Sequence, residues 1–204
     1  MTFHQGRTSK QSERTKTNFK QALIQLIHEH GFSHVSVTDI VKRADYNRTT
    51  FYLYYQDKFC LADELKTEMY NKIKESSMNK YKEGVSIITV SMNATSFELT
   101  HFIYANQPFF NLYLLEDTLP GLHRDLPQAI YEVLSEHFQL VSVNPNRDIN
   151  YDAHKLYMAH GTAGLLLDWI EKGYPFSPDS MSKRLIHILD SFAKAFMITS
   201  VHSI

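Results

Sequence analysis

Residues 31–61 read GFSHVSVTDIVKRADYNRTTFYLYYQDKFCL, and the chemistry of this stretch decides the fold. Gly31 supplies the positive φ that commonly ends a helix. The helix it ends starts at about Ser9 or Lys10 and runs to His30. In it Phe19, Ala22, Leu23, Leu26 and Ile27 recur at helical spacing and form one apolar face. After Gly31, Ser36 is placed to cap a second helix with the apolar face Val37, Ile40, Val41 and Ala44. Asp39 falls in its first turn, where a carboxylate complements the helix dipole. Asp45-Tyr46-Asn47 interrupts that helix, and Asn47 can cap a third, short one from Arg48 to about Tyr55. Phe51 and Tyr55, four apart, point one way; Arg48, Thr49 and Tyr52 point elsewhere.

Two short helices joined by a tight turn and packed on a longer one make a helix-turn-helix. The second short helix of such a unit enters a major groove about 12 Å wide, so its outward positions need donors and acceptors for base edges. Asn47, Arg48, Thr49 and Thr50 cluster at its N-terminus, the end that reaches bases. Tyr52, Tyr54 and Lys58 follow with hydroxyls and an ammonium suited to phosphate oxygens. Taken singly each is an ordinary surface residue; the spacing makes them a set.

Working outward, the chain has 204 residues, 43% hydrophobic and 21% charged, the balance of a globular protein with a sizeable core. The net charge of −1 conceals a split. Residues 1–60 hold 9 Lys and Arg against 5 Asp and Glu, and residues 61–204 hold 12 against 17. A basic N-terminal part on an acidic body suits a small module that faces a polyanion. One cysteine, Cys60, excludes an intrachain disulfide, and no apolar run approaches the ~18 residues of a membrane span. The N-terminus has no apolar secretion core. The expectation is a cytoplasmic protein, neither secreted, fibrous nor membrane-bound. All six prolines lie at or after Pro108, and long stretches without breakers read as helices. A β-branched patch at 85–90 is the exception.

The density of matches in residues 31–61 resembles the DNA-binding domain of the TetR family of bacterial transcription regulators. The matching positions are Gly31, Ser36, Ile40, Ala44, Thr50, Phe51, Tyr52, Tyr54, Tyr55 and Lys58. Two positions depart: Asp45 stands where many members carry glycine in the turn, and Thr49 where glycine is frequent. Asp tolerates the left-handed conformation, so the turn survives. The resemblance implies a recognition helix from Asn47 to Tyr54. It also implies a DNA-contacting set of Ser36, Thr38, Tyr46, Asn47, Arg48, Thr49, Thr50, Tyr52, Tyr54 and Lys58. A basic arm of Arg7, Lys10, Arg14 and Lys16 could add backbone contacts.

The remainder reads as helices near Asn93–Ala105, Pro108–Leu115, Leu122–Leu140, Asp152–Lys172 and Pro178–Thr199, after a linker helix that begins at Asp57 or Lys58 and reaches about Glu83. Residues 160–185 resemble the C-terminal domain of a mainly Gram-positive subgroup that includes activators of dihydroxyacetone kinase genes. The resulting expectation is all-α, about nine helices. Residues 1–56 are expected to form a three-helix helix-turn-helix domain, and residues 57–204 a larger helical domain for effector binding and dimerisation.

The resemblance implies a homodimer through the last two helices, with Gly161, Gly164, Leu165, Trp169, Ile186, Leu189, Phe192 and Phe196 as the apolar stripe. About half of these are equally well read as intrachain core. A two-fold protein reads an inverted-repeat, double-stranded operator. For an unidentified small-molecule effector, the pocket candidates are Phe102, Phe109, Tyr113, Tyr157 and Trp169, with Phe97, Tyr104, Phe110 and Met158 behind them. His154 and His160 are six apart, off the spacing that aligns two ligands on one helix face, so no metal is expected. Phosphate-cradling glycine loops and hydrolase motifs are absent, so neither an enzyme nor a cofactor is expected. The functional expectation is a DNA-binding repressor responsive to a small molecule. The alternative is an activator, or a co-regulator of the same fold that works through a protein partner.

Overall fold

Helix α1 (Gln5–His30) stops where Gly31 takes φ +80° and returns its N–H to the Ile27 carbonyl at 2.8 Å, a backbone conformation that suits a residue without Cβ. One tight turn (Phe32–His34) leads to α2 (Val37–Ala44) and α3 (Arg48–Tyr52). Ser36 and Asp39 cap α2 reciprocally. The Ser36 hydroxyl accepts from the Asp39 N–H at 3.3 Å, and the Asp39 carboxylate accepts from the Ser36 N–H at 3.0 Å. Between the helices Asp45 adopts φ +61°, as the sequence reading requires. Asn47 then caps α3, its Oδ1 accepting from the Thr50 N–H at 2.8 Å.

The structure, a computed structural model, describes residues 5–78, 82, 84, 86–88, 92–94, 97–141, 150–192 and 195–198. It divides the chain into two compact units. The first comprises the residues up to Glu68 together with Asn111–Leu122; the second holds Met69–Phe110 and the residues from His123 onward. In the first unit Phe19, Leu23, Ile27, Ile40, Phe51 and Leu61 are fully buried. The Phe19 ring meets Phe51 edge-on at 5.3 Å and Tyr55 at 6.4 Å, a geometry that aromatic quadrupoles favour.

Helix α4 (Lys58–Met78) gives its residues to Glu68 to the first unit and the rest to the second. The second unit adds α5 (Glu98–Ala105), α6 (Gln107–Phe110), α7 (Leu122–His137, from its second residue), α8 (Tyr151–Glu171) and α9 (Pro178–Phe192). Leu99, Ile103, Phe110, Leu126, Val133, Leu166, Trp169 and Leu185 are buried within it. The fully buried Thr100 and Ser182 hydroxyls join α5 to α9 at 2.7 Å. Each also reaches the Phe97 carbonyl at 3.2 Å, so the pair is satisfied.

The all-α architecture expected from the sequence is what the structure shows, with one small addition. Strands β1 (Ser86–Ile88), β2 (Phe138–Val141) and β3 (Ala195–Ile198) pair antiparallel in the order β1-β3-β2, with Ile87 and Leu140 both opposite Phe196. The expected helices Leu122–Leu140 and Pro178–Thr199 therefore end early, at His137 and Phe192. The runs FQLV and AFMI are too short for periodicity to separate helix from strand, and their pairing partners are remote in sequence. Helix α5 begins at Glu98 rather than Asn93, and Glu83 lies outside the described residues. Among the described residues, no helix is long and apolar enough to cross a membrane.

Candidate nucleic-acid interface

The short helix α3 sorts its residues by face. Phe51 and Tyr55 are buried, whereas Asn47, Arg48, Thr49, Tyr52 and Leu53 are exposed. Thr50 and Tyr54 are half-buried, and Thr38 is exposed on α2. The Arg48 guanidinium reaches the Tyr52 hydroxyl at 3.5 Å, four residues on, so the two share one outward edge. Asn47 spends its side-chain oxygen on the cap, where it accepts from both the N–H and the hydroxyl of Thr50. What Asn47 can still offer a partner is its NH2 group, a donor. Leu53, 74% exposed, is missing from the sequence-derived set. Its position off the Phe51–Tyr55 face was the available signal.

Several expected site residues have local tasks. The Ser36 hydroxyl donates to Asp39 at 2.6 Å as part of the α2 cap. That bond holds the Asp39 carboxyl below its ordinary range. The Tyr46 hydroxyl accepts from the Asn18 amide at 3.2 Å, and its ring packs on Phe19. Lys58 donates to the carbonyls of Phe32, Ser33 and Val35 at 2.8, 3.2 and 2.7 Å. Those bonds use all three ammonium donors. Lys58 therefore braces the turn that enters α2. Its ammonium also lies 4.6 Å from the Phe32 ring centroid.

Sequence reasoning missed the residue that holds the other side of this turn. Asp117 accepts from the Ser33 N–H at 3.0 Å and from its hydroxyl at 2.6 Å, while its own carbonyl accepts from the Phe32 N–H at 3.1 Å. The Ser33 hydroxyl, and behind it the Ser33 N–H, hold the Asp117 carboxyl below the usual carboxylate range. Lys66 secures the same segment by donating to the Pro120 carbonyl at 2.6 Å. Gly31 lies against Asp117 so closely that a Cβ there would collide with the carboxylate.

The basic arm is only partly cationic surface. Lys16 pairs with Glu64 at 3.2 Å, and Lys20 with Glu64 at 2.8 Å and Glu68 at 2.6 Å. Partial burial works against the charge on Glu64, yet Lys20 and Lys16 keep its carboxyl below the ordinary range. Lys10 and Arg14 are exposed, and the Arg7 side chain lies outside the described residues.

The second unit holds an apolar cavity of about 330 Å³ that is open on one side, where Tyr157, Leu165 and Ile188 are exposed. Phe97, Leu99, Val133, Phe138, Tyr157, Met158, Leu165, Leu185 and Leu189 line it, and Ser77 and Thr162 add hydroxyls. Of the five main pocket candidates only Tyr157 is among the lining residues. Phe109 and Trp169 are buried elsewhere in this unit, Phe102 packs edge-on against Phe110, and Tyr113 is buried in the first unit. Periodicity marks such aromatics as buried without saying whether a void adjoins them.

The dimer candidates also separate. Trp169 belongs to the chain's own core: its indole N–H donates to the Phe176 carbonyl at 3.0 Å, and its ring stacks on Tyr104. Ile186 is buried and Leu189 half-buried, whereas Leu165 is 37% exposed. The side chains of Phe192 and Phe196 lie outside the described part. Exposed apolar surface on α8 and α9 comes from the expected Leu165 and, outside the expected set, from Tyr151, Leu156, Tyr157 and Ile188.

Comparison with known proteins adds the context. The model for "Bacterial regulatory proteins, tetR family" matches residues 21–65, and that for "Transcriptional regulator C-terminal region" matches 91–191. The uncharacterized HTH-type transcriptional regulator YxbF of Bacillus subtilis (strain 168) is 21% identical over 173 residues. That alignment takes in 85% of this chain but 44% of YxbF, so the chain spans less than half the length of this relative. The dihydroxyacetone kinase operon activator DhaS superposes with a TM-score of 0.60 at 16% identity, covering 88% of this chain and 96% of DhaS. FadR from Bacillus subtilis, solved in complex with stearoyl-CoA, gives 0.58 at 15%, covering 85% and 96%. Such low identities establish a shared fold. The family assignment comes from the two matched regions, which between them take in the helix-turn-helix and most of the second unit: this chain belongs to the TetR family of transcriptional regulators.

Proposed function

We propose that the chain is a repressor that binds an inverted-repeat DNA operator as a homodimer and responds to a small-molecule effector. Residues 1–56 act as the DNA-binding domain and residues 57–204 as the effector and dimerisation domain. The observation that carries this reading is the outward edge of α3, where Asn47, Arg48, Thr49 and Tyr52 stand exposed over a buried Phe51. Their donors and acceptors suit base edges and phosphates. Thr38 and Tyr54 belong to the same proposed surface; Ser36 caps α2, Tyr46 accepts from Asn18, Thr50 donates to the Asn47 side chain and Lys58 braces the turn before α2.

Support for the dimer comes from the apolar surface that Leu156, Tyr157, Leu165 and Ile188 leave exposed on α8 and α9. Large apolar side chains left in water on two helices suit an interaction site. Support for an effector comes from the cavity and from the stearoyl-CoA held by the structurally similar FadR. A ligand shifts operator affinity only if it binds the DNA-competent and incompetent arrangements unequally. Activation is the second reading, favoured by the structural likeness to the activator DhaS.

The test is a duplex selected from a random library by the full-length protein, followed by footprinting and sedimentation. Two protected half-sites about 34–36 Å apart and a dimer at micromolar concentration are expected. A monomer with undiminished affinity for the selected duplex would overturn the dimeric reading, and a reporter fused to that duplex separates repression from activation.

A further inference from the structure

We infer that the cavity of the second unit takes an uncharged, largely apolar molecule that offers a hydrogen-bond donor to the Ser77 hydroxyl. The inference rests on the effector reading above and names the chemistry of the ligand. Among the described residues that line the cavity there is no Asp, Glu, Lys, Arg or His. A carboxylate, phosphate or ammonium placed there would lose its water and meet no counter-charge. The polar side chains on the described wall are three hydroxyls, those of Ser77, Tyr157 and Thr162.

Ser77 is the discriminating one. Its hydroxyl donates to the Ile73 carbonyl at 2.8 Å, one turn back on α4. With the proton committed, its oxygen can only accept. A ligand satisfied by Ser77 must therefore bring its own O–H or N–H, as an alcohol, phenol or amide does. The volume, about 330 Å³, sits at the small end of ligand pockets. Val133 and Phe138, in one buried cluster with Leu189 against it, supply the apolar wall for the rest of such a molecule.

The experiment measures binding to the full-length protein without DNA, by calorimetry and thermal shift. Four probes share one chain length: 1-octanol, octanoate, octylammonium and 1-methoxyheptane, an ether that can only accept. Octanol is expected to bind saturably and about tenfold or more tighter than either ion. It should also bind more tightly than the ether, and Ser77→Ala should erase that alcohol-over-ether preference. Leu134→Phe, which narrows the cavity, should weaken octanol binding; should that variant fail to fold, Ser77→Ala still decides. Equal or tighter binding of octanoate or octylammonium, an alcohol-over-ether preference that survives Ser77→Ala, or no saturable octanol binding would each overturn the inference. Octanol binding that leaves affinity for the selected duplex unchanged would overturn the effector reading while the ligand class stands.

Discussion

The Asp117 carboxylate receives the Ser33 hydroxyl at 2.6 Å although the two residues stand 84 positions apart in sequence. Asn111–Leu122, the segment that carries Asp117, is flanked in the chain by α6 and α7, yet it belongs to the compact unit of the helix-turn-helix. Ser33 lies three residues before the Ser36 cap of α2. Asp117 is thus a positioning residue for the turn that sets the direction of α2.

Asp117→Ala should loosen that turn and weaken binding to the selected duplex several-fold, with helical circular dichroism retained. A linked pH effect follows from the carboxyl, which is held below its ordinary value of 3.8. A lowered value in the folded state stabilises the fold in full above 3.8, and that stabilisation is lost as pH falls through the lowered value. The difference in melting temperature between the wild type and Asp117→Asn should therefore be constant near neutrality and vanish in strong acid. A difference that persists unchanged into strong acid would remove the carboxylate from the explanation.

Lys58 braces the same turn from within α4, with all three donors on main-chain carbonyls. Lys58→Met keeps the apolar stem beside the Phe32 and Phe59 rings and deletes the charge. Hydrogen bonds from a charged group contribute more than neutral ones, so a loss of about 2 kcal/mol in urea unfolding is expected. The salt dependence of DNA binding should stay as in the wild type, whereas loss of a phosphate contact would lower the slope by about one unit. A lowered slope with unchanged stability would return Lys58 to the DNA surface.

What the sequence makes legible here is what is local. The Ser36–Asp39 and Asn47–Thr50 caps, the Gly31 stop and the buried Phe51–Tyr55 face all rest on neighbours within four positions. Spacing alone exposes such relations. The Asp117–Ser33 bond and the Lys58 brace join residues 84 and 23 to 26 positions apart, and no local pattern announces them. The β3 run likewise reads as helix from its own residues, because its partners β1 and β2 are distant in sequence. Trp169 shows a different limit: periodicity places it on the inner side of α8, but whether a neighbour of the same chain or another covers that side depends on Tyr104 and Phe176.

Trp169 serves as a control for the proposed dimer. Its indole is covered by Tyr104 and Tyr174, and burial pushes the Tyr174 hydroxyl up to about 12. Trp169→Phe removes the N–H that the Phe176 carbonyl accepts, for an expected cost of about 1–2 kcal/mol. Sedimentation should show its oligomeric state unchanged. Tyr151→Glu or Leu156→Glu, on the exposed surface of α8 and outside the cavity lining, should instead yield monomers with little loss of monomer stability. Dimers in both surface variants would move the interface elsewhere.

Arg48 is the residue on which base recognition is expected to turn. Its guanidinium leaves the first turn of α3 beside the Tyr52 hydroxyl at 3.5 Å, a separation too long to commit either group. A planar fork of donors in that position suits a guanine edge, which presents two acceptors side by side. Arg48→Ala should cost about 1–3 kcal/mol on the selected duplex and relax preference at one base pair per half-site. Tyr52→Phe loses a single hydroxyl and should weaken selected and random duplexes by a similar, smaller factor, as a phosphate contact does. The two variants are compared by repeating the library selection with each protein. If Arg48→Ala returned the wild-type sequence at every position, the reading residue would lie elsewhere on α3, with Asn47 and Thr49 next in line because their side chains are also exposed.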